Sequence, residues 1–263
     1  MWDGFATKHF CVQVNAMSFA IITPIWKKVL TEEEMPLVKI TSATNPKVEK
    51  FFMAPKNLNC DYHRADFPDW KIFRIEDRHL SSISAYNQFM LTPVLYKSML
   101  AFDFSVICQT DAVLIKDIST IELEDIDYVG SPWEVPIKMS CLGLFGRKGD
   151  TIREFLENIF ELCVSLEVGN GGLSIRRNET FFSITKEIFY RKLVATPEDV
   201  FFSYLGVHKK LRVATAHSAT KIFMETMAAG LTDLPDVYGF HALQRWNPGL
   251  FEQLLKDYRE HIV

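Results

Sequence analysis

Short apolar runs alternate with stretches of helical spacing along most of the chain, which predicts βα units around a mainly parallel sheet. HFCVQV (His9 to Val14) is the first strand candidate, and the residues from about Ser18 to Glu33 read as a helix. VEKFFMAP ends in Ala54 and Pro55 as a strand leaving a sheet does, and WKIFRI (Trp70 to Ile75) alternates as a strand should. In LSSISAYNQFMLTPVLYKSML, Ser81 or Ser82 can cap a helix whose apolar Ile83, Tyr86, Phe89 and Met90 recur at helical spacing, and Pro93 opens another. SVICQTDAVLI (Ser105 to Ile115) is a buried-strand pattern broken at its centre by Gln109, Thr110 and Asp111. Downstream, DIDYVGSPW is a strand ending in a Gly-Ser-Pro turn, and VGNGGLSIRR is a glycine cluster feeding a short strand. A helix is expected from about Asn178 to Arg191. TPEDVFFSYL reads as a helix start with Thr196 at the cap and Pro197 in the first turn, and NPGLFEQLLKDYREHI as a terminal amphipathic helix with Pro248 near its start.

Composition narrows the class. The chain has 263 residues, so one α/β domain is the expected organisation. Its net charge is -4 and its 29 Lys and Arg are scattered, which argues against a nucleic-acid partner. Five cysteines, without a C-x-x-C pair, read as reduced thiols rather than as a disulfide frame or zinc site. No apolar run approaches the roughly 20 residues that span a bilayer, and AMSFAIITPIWKKVL has the wrong polarity for a signal peptide. The expectation is a cytoplasmic protein, with Trp26, Lys27 and Lys28 leaving a peripheral contact with the inner face of a membrane open.

Four features could carry chemistry, each with a plainer alternative. Asp111 stands where a strand of an open parallel sheet would emerge into the ligand crevice, where one carboxylate can share a hard cation with substrate phosphates; it could equally cap the turn. GNGG (Gly169 to Gly172) permits close backbone approach and offers amides to an oxyanion or sugar hydroxyl, yet Asn-Gly is also the commonest tight turn. Glu198 and Asp199 at a helix start should stay ionised, as suits a general base; the plainer alternative is that they only complement the helix dipole. His241 could be a metal ligand or a core residue.

The order of these features resembles that of GT-A fold, nucleotide-sugar-dependent glycosyltransferases. LSSISAYNQFML, ICQTDAVL, YVGSPW, VGNGGLSIR, PEDVFF and GFHALQRWNPGLF are moreover similar to a bacterial glycosyltransferase-like family known as a domain of unknown function, over about Leu80 to Phe251. The resemblance implies a single glycosyltransferase domain over residues 1–263, its nucleotide-binding half ending near residue 115 and its acceptor and catalytic half running from about 116. It matches Gln109, Thr110 and Asp111 to the D-x-D motif, with Asp111 as metal ligand and Gln109 in place of the usual first acid. His241 matches the histidine that completes metal and diphosphate binding. Asp199, with Glu198 beside it, matches the acid pair from which inverting enzymes draw their base. Asn170, Gly171 and Gly172 match the loop bordering donor sugar and acceptor; Tyr86 and Asn87 would face the nucleotide, and Trp133 the sugar. The implied cofactor is a divalent cation, Mn or Mg. The implied reaction moves a sugar from a nucleotide diphosphate sugar to a glycan or glycolipid hydroxyl in bacterial surface polysaccharide synthesis. A nucleotidyltransferase and a non-catalytic nucleotide-sugar-binding relative are the alternatives; the first lacks its basic, glycine-rich N-terminal signature here.

Overall fold

FAIITP lies within the stretch expected to be a helix, yet it forms strand β1 (Phe19–Pro24), with all six residues buried. A continuous apolar run containing Ile-Ile-Thr has no polar face to turn to water, so it is satisfied at the centre of a sheet covered on both sides. The computed structural model describes residues 17–123, 125–140, 163–187 and 197–262. The strand candidate at His9 to Val14, the cap at Thr196 and the helix end at Arg191 fall outside them. After β1 the chain forms an irregular loop in which Trp26 and Val29 are about half exposed (49% and 48%), so the expected helix ending at Glu33 is replaced by α1 (Glu34–Thr44).

The next elements follow the sequence pattern: β2 (Glu49–Pro55), α2 (Asp61–Asp66), β3 (Lys71–Ile75), α3 (Ile83–Met90), α4 (Pro93–Ser98) and β4 (Phe104–Cys108). The Ser82 hydroxyl caps α3 by accepting the Ala85 amide at 3.1 Å, and Pro93 opens α4. Beyond the β4 turn come β5 (Ala112–Leu114), β6 (Tyr128–Gly130), β7 (Pro132–Ser140), β8 (Cys163–Val168) and β9 (Leu173–Arg177). They are followed by α5 (Asn178–Glu187), α6 (Glu198–Val207), α7 (Ala216–Thr220), β10 (Phe223–Met224) and β11 (Gly239–His241). The C-terminal region is α8 (Leu243–Trp246), α9 (Pro248–Asp257) and α10 (Arg259–Ile262). The single terminal helix expected there is thus divided at Tyr258, whose hydroxyl donates to the Ile115 carbonyl at 3.0 Å.

Among the described residues the main sheet has six strands in the order β3-β2-β1-β4-β9-β6. Strands β1 to β4 are mutually parallel, and β9 runs antiparallel to both β4 and β6. Successive side chains on a strand point to opposite faces, so Ile21 and Val106 enter one apolar cluster and Ile22 and Ile107 the other. Helices α3, α4, α5 and α6 supply Phe89, Tyr96, Phe181 and Phe202 to the second cluster. A smaller sheet, β10-β11-β5, stands beside the carboxyl end of β4, and β7 pairs with β8. Among the described residues no helix is long and apolar enough to cross a membrane.

Candidate active site

SVICQTDAVLI is two strands, not one. Strand β4 ends at Cys108, the chain turns tightly through Gln109 to Asp111 with the Ala112 amide donating to the Gln109 carbonyl at 2.9 Å, and β5 departs into the smaller sheet. There it pairs antiparallel with β11, setting Ala112 opposite His241. The Ala242 amide also donates to the Asp111 carbonyl at 2.9 Å. This register brings His241 Nε2 to 3.4 Å from Asp111 Oδ1. Thr110 turns the other way: it is buried, and its hydroxyl donates to Glu34 Oε1 at 2.7 Å. Glu34 in turn accepts the Thr31 amide at 2.9 Å and Lys27 Nζ at 3.0 Å, which ties the loop after β1 to the Asp111 turn.

The glycine cluster reaches the same place through β9. Because Cys108 pairs with Leu173, the Gln109 amide donates to the Gly172 carbonyl at 2.8 Å. Asn170 sits at φ 66°, a conformation that Asn adopts more readily than most residues. The expectation that the loop amides are free for a ligand is corrected here. Gly171 N donates to Asp199 Oδ2 at 3.1 Å and Gly172 N to Asn170 Oδ1 at 2.9 Å, so the loop spends them on its own geometry. Gly172 is required by close approach: a Cβ there would lie 2.3 Å from His241 Nε2. The Trp133 ring lies against Gly169 in the same manner.

Pro197 occupies the N-cap position of α6, one residue before the first turn it was expected to enter. The adjacent acids then diverge. Asp199 is partly exposed, its carboxylate held by two backbone amides, from Gly171 at 3.1 Å and from Val200 at 2.8 Å. Glu198 points inward against fully buried Arg176, which donates Nη2 to Glu198 Oε1 at 3.0 Å, Nη1 to the Tyr96 hydroxyl at 2.9 Å and Nε to Ser174 Oγ at 3.1 Å. Burial and the neighbouring Asp199 charge push the Glu198 carboxyl up to about 7 despite the guanidinium. Burial disfavours a charged His241, but Asp111 and Glu225 outweigh it and raise the ring to about 9. Burial likewise opposes a charged Asp111, and His241 nevertheless holds its carboxyl below the ordinary value.

Two cavities meet over this floor. One, of about 530 Å³, is bordered by Trp26, Ser82, Tyr86 and Asp111; the other, of about 310 Å³, by Trp133, Gly171, Asp199, Glu225 and His241. Ile83, Asn87 and Gln109 line both. All the sequence-nominated side chains except that of Thr110 therefore border one or both cavities or form their walls. Glu225 and Arg176 were missed, because neither stands in a recognisable spacing. Glu225 accepts from His241 Nδ1 at 3.0 Å and from the Asn170 side-chain amide.

Asp111 and His241 fit a divalent cation. Among the described residues buried His241 Nε2 has no hydrogen-bond partner, and it faces Asp111 Oδ1 at 3.4 Å, so a nitrogen and a carboxylate oxygen, both suitable donors for Mn²⁺, converge on one point. Among the described residues no set of three or more His, Cys, Asp and Glu side chains is arranged to hold a metal by itself. That sparse protein donor set is the kind completed by substrate phosphates and water.

A family model described as "Protein of unknown function (DUF5672)" matches residues 69–241. No curated protein sequence matches the chain. Among solved structures, the galactosyltransferase LgtC in complex with donor and acceptor sugar analogs is similar, with a TM-score of 0.51 and 10% identity over 92% of this chain and 95% of that one. The bifunctional glycosyltransferase WbbM gives 0.54 and 10% identity over 95% of this chain but 50% of its own. The apo form of GlyE from Streptococcus pneumoniae gives 0.51 and 11% identity, over 94% and 60%. At these identities the likeness establishes the fold, which is the GT-A fold of these glycosyltransferases, with its mainly parallel sheet and flanking helices.

Proposed function

The chain belongs to the DUF5672 family, and we propose that it transfers a sugar from a nucleotide diphosphate sugar to a hydroxyl of a glycan or glycolipid acceptor. The observation that carries this reading is the meeting of two cavities over Asp111 and His241, with the Asp199 carboxylate in the second. The first cavity, between Trp26 and Tyr86, has the size and aromatic border that suit a nucleoside, and Asn87 and Gln109 stand where it opens toward the second. The sugar then extends toward Trp133, whose ring can pack on its apolar face.

A divalent cation on Asp111 and His241, when bound, would stabilise negative charge on the departing diphosphate. Asp199 is the general base. Its two backbone amide contacts fix the carboxylate while its remaining lone pairs can accept a proton from a hydroxyl in the cavity. The acceptor oxygen bonds to the anomeric carbon, the bond from that carbon to the phosphate oxygen breaks, and its electron pair leaves with the nucleoside diphosphate. The proton passes to Asp199, and a single in-line displacement inverts configuration. Glu198 supports this placement rather than duplicating it, since its carboxyl is turned into the protein against Arg176.

A nucleotidyltransferase is the weaker alternative. The loop after β1, PIWKKVLTEE, contains no glycine with which to wrap a triphosphate. The resemblance to a bacterial glycosyltransferase-like family supports surface polysaccharide synthesis on the cytoplasmic side as the setting. Asp199→Asn tests the assignment: transfer should fall by at least about 100-fold, the lower end of what a positioned base contributes, while calorimetric donor affinity changes little. Transfer near the parental rate would remove Asp199 from the role.

A further inference from the structure

Glu225 is 15% exposed, and among the described residues its only charged partner is His241. A nearly buried carboxylate without an Arg or Lys beside it is costly unless a positive charge close by compensates it. Its two oxygens are directed. Oε1 faces His241 Nδ1 at 3.0 Å, and Oε2 accepts from Asn170 Nδ2. Asn170 is itself fixed, because its Oδ1 accepts the Gly172 amide at 2.9 Å. Asn170 Nδ2 also lies 3.0 Å from His241 Nδ1, and an amide NH₂ has no lone pair to accept with. The consistent assignment is that both nitrogens donate to Glu225, so that Nδ1 carries its proton and Nε2 is the atom presented to Asp111, 3.4 Å away.

That chain of groups has a charge consequence. A carboxylate accepting Nδ1–H pushes electron density through the imidazole and makes Nε2 a stronger donor, so it acts on whatever Nε2 binds. The Asp111 turn is one acid short of the D-x-D pattern, with Gln109 at the vacant position lining both cavities. We propose that Glu225 is a positioning residue that supplies, across the ring of His241, the negative charge that Gln109 does not supply directly to the cation site. Asn170 holds Glu225 in place for this task. The proposal rests on the reading of Asp111 and His241 as cation ligands, and it adds to Asp111 a second carboxyl-bearing position whose sequence context, FMETMAAG, carries no metal-binding spacing.

The test is the affinity of the full-length chain for Mn²⁺, with and without inorganic pyrophosphate. It is read from loss of the free-ion electron paramagnetic resonance signal, with melting temperature as the check on folding. Glu225→Gln retains an acceptor for Nδ1–H but removes the charge, and should weaken Mn²⁺ about 10- to 100-fold. Adding Gln109→Asp to that variant should recover most of the loss, because the missing charge is restored at the other end of the site. Asn170→Gly, which keeps the backbone able to adopt its positive φ, should weaken Mn²⁺ less than Glu225→Gln does. Unchanged affinity in a folded Glu225→Gln protein, or no recovery from Gln109→Asp, would overturn the proposal while leaving the cation site intact. Failure of the parental protein to bind Mn²⁺ even with pyrophosphate would overturn both.

Discussion

Replacing Arg176 by Met would leave Glu198 buried without its counter-charge while roughly preserving apolar volume. The two side chains are 0% and 3% exposed, and the guanidinium donates to Glu198, Tyr96 and Ser174. Removing one member of so enclosed a pair costs about 3–5 kcal/mol, because the remaining charge can neither pair nor hydrate. The loss must depend on pH in a definite direction. Glu198 has a folded-state value of about 7 against an ordinary 4.5, so the folded protein binds the extra proton over that interval. An acid raised in this way contributes its full stability below the lower value, and that contribution is lost as pH rises through the interval. Arg176→Met removes an influence that lowers Glu198, so its carboxyl titrates higher still. The deficit at pH 5 should then be smaller than at pH 8, by at most about 1.4 kcal/mol, because only the unit between about 7 and pH 8 separates the two proteins. Urea denaturation followed by tryptophan fluorescence at both pH values measures this. Arg176→Met combined with Glu198→Gln should recover much of the pH 8 loss, since no charge is then stranded. A loss below about 1 kcal/mol, or one equal at both pH values, would mean that Arg176 does not compensate a buried Glu198 charge.

Other outcomes follow from the same contacts. Gly172→Ala should displace the His241 ring, since the new methyl would meet Nε2 at 2.3 Å, and should reduce Mn²⁺ affinity at least about tenfold in calorimetry with a far-ultraviolet spectrum like the parent's. Asp111→Ala should weaken a nucleoside diphosphate in the presence of manganese more than it weakens the free nucleoside; equal losses in calorimetry would mark the residue as structural. Asp127, 4% exposed, accepts from Arg212 at 2.8 Å, from Arg177 at 3.1 Å and from Thr180 at 2.9 Å. Asp127→Asn should cost about 3 kcal/mol in urea titration, the lower end for a broken buried pair because Arg212 remains half-exposed. Burial opposes its ionisation, but Arg212 and Thr180 hold its carboxyl below the ordinary value, so its contribution is present above the usual carboxylate range and is lost as pH falls below it. The variant should accordingly show a flatter acid limb.

Much of the frame could be read from the pattern of residues because it is local. Ser82 caps a helix, Pro93 and Pro248 open two others, and the strands at Glu49 and Lys71 appear where alternation or turn residues mark them. Strand β1 lies in a stretch that reads as a helix, because an unbroken apolar run has no period to distinguish a buried strand from a helix, and the lysines after it suggest an amphipathic face that is in fact a loop. In the site, Asp111, Asp199 and His241 were nominated by motif order, and the pairing of β5 with β11 explains why two of them, far apart in sequence, touch. Glu225 and Arg176 could not be found this way. Their roles come from contacts with His241 and Glu198 across strands and helices, and a lone Glu before a Thr or a lone Arg in a strand announces neither. The expectation that the glycine-loop amides serve a ligand failed for a related reason, since the loop's own Asp199 and Asn170 contacts come from tertiary placement rather than spacing.

Sugar transfer by this chain can be followed directly by phosphorus magnetic resonance of the products. The chain would be incubated with manganese, a panel of nucleotide diphosphate sugars and simple glycoside acceptors. One donor should be consumed with release of its nucleoside diphosphate, and Asp199→Asn should leave that donor bound but intact. Pyrophosphate formed from a nucleoside triphosphate and a sugar phosphate, or a donor bound by the parental protein yet unconsumed with every acceptor, would contradict sugar transfer as the activity.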